Sequence, residues 1–298
     1  MRRMKKLSVI IVTYNSEKDI YDCLNSIYSH CDIPVDELEV IVVDNNSKEA
    51  DIMFETIRKE HGNNVVLIKN SKNGGYGQGN NVGIKHASAP IILIMNPDVR
   101  LTSASFQTVL DHFEKDSNLS MYGMKQLLDD GSVSMNTFNC SNLMNGYLGT
   151  LLTGLCNRRD IYIPRWMYFS GSCFYIRKSM FEAIGLFDES IFMYGEENDI
   201  HHRMKTKFGA HFFYNKNIKY QHLTMERKPD KKTEDKMLLS NIQVNEKFGY
   251  SKMKTIRNKI QTVNILLWRE KIKRAMGLSY SAEFIKMLSE YKKHLRTI

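Results

Sequence analysis

Four mainly apolar runs, interrupted only by Ser8 and Glu39, constrain this chain more than any other feature: Leu7 to Val12, Leu38 to Val43, Val65 to Ile68 and Ile91 to Met95. Three of them lead through a polar turn toward a helical pattern. Asn15-Ser16 precedes Glu17 and Asp19, Asp44-Asn-Asn-Ser47 precedes a helical stretch over 51–61, and Asn96-Pro-Asp98 precedes one over 103–115. Strands without a polar face must be covered on both sides, so the alternation predicts an α/β fold around a mostly parallel sheet. Sheets of that kind bind ligands in the crevice beyond their strand ends, where this chain carries its small polar and acidic residues.

The remainder is less regular. Between Leu127 and Phe169 the periodicity fades into Gly, Asn, Ser and Thr, which predicts long loops. A strand is expected over Cys173 to Ile176, and helices over 178–184 and from the acidic Glu196-Glu-Asn-Asp199 to about Lys207. Two short strands are expected at Phe212 to Tyr214 and Ile218 to Gln221. Beyond Gly249, apolar residues recur every three or four positions (Met253, Ile256, Ile260, Val263, Leu267, then Tyr280, Phe284, Leu288, Tyr291, Leu295) with cations between them. Two basic amphipathic helices follow, so the expected division is a main α/β domain over 1–249 and a basic amphipathic helical tail over 250–298.

The formal charge is +9, and the tail's twelve Lys and Arg against three acids account for all of that excess. Such helices suit either an anionic lipid surface or packing against the main domain or a second copy in a homodimer, and no nucleic-acid module surrounds the charge. No apolar run reaches the roughly 18 residues of a membrane span. The basic start, Arg2-Arg3-Met4-Lys5-Lys6, precedes too short an apolar stretch for a signal peptide. Five cysteines without C-x-x-C spacing predict a reduced, cytoplasmic protein, at the inner face of the membrane if the tail binds lipid.

Several residues can carry chemistry. The glycine cluster Asn73-Gly-Gly-Tyr-Gly-Gln-Gly-Asn-Asn-Val-Gly83 lets backbone amides approach a phosphate or sugar; a purely structural turn is the alternative. Its match to a dinucleotide fingerprint is poor, because Lys69 to Asn73 separate strand from glycines. Asp44 can accept from a base or ribose, or close an Asx turn. Asp98 can hold a hard divalent cation that shares its remaining positions with phosphates, or cap the next helix. Glu196, Glu197 and Asp199 form either a solvated helix start or a general base whose pKa burial raises. His222 is either a metal ligand or an ordinary histidine.

Taken together, Ser8-Val-Ile-Ile-Val-Thr-Tyr-Asn15, Val42-Val-Asp-Asn-Asn-Ser47, the 73–83 cluster, Asn96-Pro-Asp98 and Phe192-Met-Tyr-Gly-Glu-Glu-Asn-Asp199 resemble the family-two inverting glycosyltransferases of the GT-A fold, most closely the rhamnosyltransferase branch. The resemblance covers roughly residues 7 to 225 and implies a nucleoside-diphosphate sugar, dTDP- or UDP-linked, as donor. Thr13, Tyr14, Asn15 and Asp44 would surround the nucleotide, with Asn73, Gly75, Gly77, Asn81 and Asn96 near the donor. Asp98 would hold Mg²⁺ or Mn²⁺, with His222 matching a downstream histidine of some relatives. The family's base falls on Glu197, with Glu196 as rival and Asp199 as a further acid. Gly171 and Ser172 match the acceptor side, where Trp166 can stack on a sugar. The implied activity is transfer of rhamnose or another hexose to a glycan or polyprenyl-linked acceptor in cell-surface polysaccharide synthesis. The alternative is a binding module that keeps the fold without the chemistry.

Overall fold

A computed structural model describes residues 4–141, 146–223 and 230–298. Arg2 and Arg3 of the basic start, and positions 142–145 and 224–225 of the stretch that carries the resemblance, lie outside the described residues. In chain order the strands are β1 (Leu7–Thr13), β2 (Leu38–Asp44), β3 (Val65–Lys69), β4 (Ile91–Met95), β5 (Val99–Leu101), β6 (Met121–Leu127), β7 (Phe138–Cys140), β8 (Met167–Phe169), β9 (Cys173–Arg177) and β10 (Phe212–His222). The helices are α1 (Glu17–Ser29), α2 (Ala50–His61), α3 (Tyr76–His86), α4 (Phe106–Lys115), α5 (Gly146–Arg159), α6 (Lys178–Ala183), α7 (Glu196–Phe208), α8 (Lys231–Lys247), α9 (Lys252–Ala275) and α10 (Ala282–Leu295).

One mixed sheet orders its strands β3-β2-β1-β4-β9-β6-β10-β5. The four apolar runs pair in parallel as β3, β2, β1 and β4, β9 is antiparallel to both its neighbours, and β10 is parallel to β6. Alternate residues of β1 serve opposite cores: Val9 and Ile11 join Leu24 and Met53 on one face, while Ile10 joins Ile84 and Phe181 on the other. That double burial is why the runs are continuous rather than alternating.

Two stretches differ from expectation. The stretch expected to be loop contains α5 and the β7–β8 ribbon. Helix α5 escapes detection because its sidedness is reversed: Leu148, Leu151 and Leu155 are half exposed, whereas Gly146, Cys156 and Asn157 are buried. The two short strands are one strand, β10, whose pairing with β6 shifts register between Asn215 and Lys219, where polar residues interrupt the apolar pattern. The tail's stripes pack on each other and on α8, as in the expected alternative of packing against the main domain: Ile256, Val263, Leu267, Leu288 and Tyr291 share a cluster with Leu238 and Ile242. The expected boundary at Gly249 thus falls between helices of one apolar cluster. No helix among the described residues is long and apolar enough to cross a membrane, and all five cysteines are free.

Candidate active site

The C-terminal ends of β1 and β4 open onto a cavity of about 390 Å³. Ten of the residues singled out from sequence line it: Tyr14, Asn73, Gly75, Asn96, Asp98, Gly171, Ser172, Glu196, Glu197 and His222.

The glycine turn and the acidic turn are tied together. Gly75 caps α3 with φ +92°, a region open to glycine, and a Cβ there would overlap the carbonyl of Phe192. The same carbonyl accepts from Tyr76 N (3.0 Å). Two successive left-handed residues, Tyr194 (φ 72°) and Gly195 (φ 103°), then turn the chain into α7 and bring both glutamates to its first turn at the cavity wall.

Glu197 is seated by Gly171, whose N–H donates to its carboxylate. A Cβ on Gly171 would overlap Glu197 Oε1, and the Gly171 carbonyl accepts from Tyr76 Oη (2.5 Å). Burial raises the pKa of Glu197, and burial followed by the Glu197 charge raises Glu196 to about 8. The helix dipole and the backbone donors favour ionisation here, so desolvation is the larger effect. Glu196 Oε1 is buried without a hydrogen-bond partner. At neutral pH the pair therefore holds a proton that two exposed glutamates would have lost.

A stability prediction follows. Between pH 4.5, the ordinary value, and about 8, the folded chain retains a proton that the unfolded chain releases, so this site costs stability progressively as pH rises through that window. Glu196→Gln is expected to match the parent at acid pH and to exceed it by on the order of 2 kcal/mol above that window. Thermal unfolding on either side of the window measures the difference, and equal gains at both pH values would count against the assignment.

Asp98 and His222 meet across the cavity floor, with Nε2 3.3 Å from Oδ1 and both residues buried. Strand β10 delivers His222 opposite Val99 of β5, and Gln126 Nε2 lies 3.2 Å from His222 Nδ1, which orients the ring. One carboxylate and one imidazole suit a divalent cation that takes its other ligands from phosphate and water. No group of three or more potential side-chain ligands occurs among the described residues, so the donor set fits a cation only in company with a ligand.

Seven expected residues lie outside the cavity lining. Asp44 is fully buried and its carboxylate accepts from Thr13 Oγ1 (3.0 Å), Ser47 N (2.8 Å) and Ser47 Oγ (2.5 Å), the Asx-turn alternative. This network positions Asn45, which does line the cavity. Asn15 (φ 50°) braces the same turn by donating from its N to Ser47 Oγ. Asn81 clamps the backbone of Phe187 through both ends of its amide, and Gly77 packs beneath that ring. Asp199 is buried in ion pairs with Arg203 and with Lys247, the last residue of α8. Trp166 is 48% exposed. The aromatics near Glu197 are instead Tyr76 and Tyr168, whose hydroxyl pKa values are raised by burial and then by the Glu197 charge. Tyr76 was legible as the one aromatic within the glycine cluster, but Tyr168 had no distinguishing signal.

Comparison with known proteins agrees with this geometry. Residues 8–185 match the model of Glycosyl transferase family 2. The chain is 29% identical over 205 residues to the low-salt glycan biosynthesis hexosyltransferase Agl10 of Haloferax volcanii, covering 67% of this chain and 61% of that protein. It is 27% identical over 222 residues to the N-acetylglucosaminyl-diphospho-decaprenol L-rhamnosyltransferase of Mycobacterium tuberculosis, covering 66% of this chain and 70% of that protein. Its fold is similar to that of the mannosyltransferase PcManGT from Pyrobaculum calidifontis in complex with GDP-Man and Mn²⁺, at 14% identity and a TM-score of 0.65, over 99% of this chain and 87% of that one. A family match over more than half of its length, joined to a GT-A sheet, makes this chain a member of glycosyl transferase family 2.

Proposed function

We propose that the chain transfers a hexose from a nucleoside-diphosphate donor to a hydroxyl of a glycan or lipid-linked glycan, inverting the anomeric carbon. The observation that carries this reading is the carboxylate of Glu197, fixed by the Gly171 N–H at the wall of a cavity that also holds Asp98 and His222. The glycine turn leaves room for the donor's diphosphate, beside Asn73 and Tyr14. Glu197 accepts the proton of the acceptor hydroxyl, the new C–O bond forms on the face of the sugar opposite the diphosphate, and the nucleoside diphosphate departs with the electron pair of the broken bond. Asp98 and His222 would hold Mg²⁺ or Mn²⁺, which offsets negative charge on the diphosphate when bound. Asp44, Thr13, Asn15, Gly77 and Asn81 act through the turns that they hold, and Asp199 through the placement of α7.

The experiment is a thermal-shift screen of UDP-, dTDP- and GDP-linked sugars, each with Mn²⁺ and with EDTA. One donor at a hundred times its Kd should stabilise the fold by about 2.7 kcal/mol, because a ligand of the folded state alone shifts the equilibrium. EDTA, or Asp98→Ala, is expected to abolish most of that shift. Binding unchanged by both would remove the metal assignment, and no shift with any donor would favour the non-catalytic reading.

A further inference from the structure

A second cavity of about 340 Å³ lies between the β7–β8 ribbon and helices α5, α8 and α9. Among the described residues its lining includes five asparagines and four threonines. Among the described lining residues there is no carboxylate, and the one cation, Lys259, is paired with Glu234 at 2.6 Å. The volume lies within the ~300–1,000 Å³ range of small-molecule sites, while the wall is far more polar than such sites usually are.

Two observations argue against a simple packing gap. Helix α5 turns Thr150 and Thr153 into this cavity while leaving Leu148, Leu151 and Leu155 half exposed, an orientation that the hydrophobic effect opposes. Asn245 is 2% exposed; its Nδ2 donates to Thr255 Oγ1 (2.9 Å), but its Oδ1, on a cavity-lining residue, has no partner. A buried amide oxygen left unpaired is costly, and it sits on a residue of this wall.

The cavity also adjoins the base. Tyr168 lines it, and the charge of Glu197 acts on that hydroxyl. Ser141, also in the lining, donates to Asn198 Oδ1 (3.3 Å), and Asn198 is the residue after Glu197.

We propose that this cavity binds an uncharged saccharide, the unit of the acceptor that precedes the reacting sugar. Neutral amides and hydroxyls offer paired donors and acceptors that suit vicinal hydroxyls, and Tyr168 adds a ring to the wall. The absence of a free cation among the described lining residues selects against phosphate- or uronate-bearing units. The acceptor assignment rests on the glycosyl-transfer reading; the saccharide site does not.

Saturation-transfer NMR on the full chain tests both. The probes are chitobiose, cellobiose and methyl α-rhamnoside as neutral ligands, with digalacturonate and glycerol 3-phosphate as anions, each with and without UDP. A neutral probe is expected to bind whether or not UDP is present, and to lose at least tenfold in affinity in Thr262→Phe, which fills the cavity. Asn245→Asp should have the same effect, since the Thr255 hydroxyl can donate to the new carboxylate and preserve the fold. The thermal transition and the nucleotide-induced shift report folding in both variants. Failure of every neutral probe, binding that survives both substitutions, or equal binding of an anion would overturn the proposal. Saccharide binding without any response to nucleotide sugars would instead remove glycosyl transfer and leave the cavity assignment standing.

Discussion

Glu197→Gln is expected to bind the donor as the parent does and to lose transfer by ~10²–10⁴-fold, the usual contribution of a positioned general base. The amide is nearly the same shape, and its oxygen can still accept from the Gly171 N–H that seats the carboxylate. What it lacks is a site for the acceptor's proton. The pH profile separates this from a structural effect. Activity in the parent should rise with pH as the carboxylate pair loses its retained proton, toward the value of about 8 for Glu196, whereas the residual activity of the variant should not follow that rise. Near-normal turnover in Glu197→Gln, with loss in Glu196→Gln, would transfer the base to the neighbouring residue.

Gly171→Ala should leave the fold intact and cost about 10²-fold in turnover. The added methyl meets the carboxyl end of Glu197 rather than backbone, so the side chain can yield while the strand stays in place. Displacing a reacting group by about 1 Å is enough for a loss of that size. The informative comparison is the double variant. If the methyl acts through Glu197, Gly171→Ala adds little once Glu197 is already glutamine, because two changes that remove one interaction are not additive. A full second loss in the double variant would mean that Gly171 matters for some other reason, such as acceptor contact. Initial rates for the four proteins, with donor affinity measured alongside, complete the cycle.

The core of the fold was legible because burial on both faces leaves an unmistakable mark: β1, β2 and β4 are buried almost from end to end and mainly apolar. The glycine turn after β3 and the acidic turn before α7 were legible because glycine clusters and crowded acids are costly unless geometry or chemistry requires them. Helix α5 was not, since threonine and glycine on an inward face look like loop when a cavity lies behind them. Individual acids were less legible where one side chain serves two purposes equally well. An aspartate in an Asx turn (Asp44) or in ion pairs (Asp199) reads the same in sequence as one facing a ligand, and only its partners tell them apart. Trp166 was expected to stack on a sugar and is half exposed, while Tyr168, in β8, is the ring whose hydroxyl responds to the Glu197 charge.

The bond from Tyr76 N to the Phe192 carbonyl, under a glycine that admits no side chain, has a consequence for how such an enzyme can be altered. Residues 73–83 and 192–199 lie more than a hundred positions apart, yet backbone groups alone hold them together. A segment transplanted into 73–83 must keep glycine at position 75 and an N–H at position 76, which excludes proline there, and one transplanted into 192–199 must keep the backbone path that presents the carbonyl of position 192. Within those limits either segment can be exchanged alone, so chimeras and randomised libraries should fix these backbone requirements and vary the side chains around them.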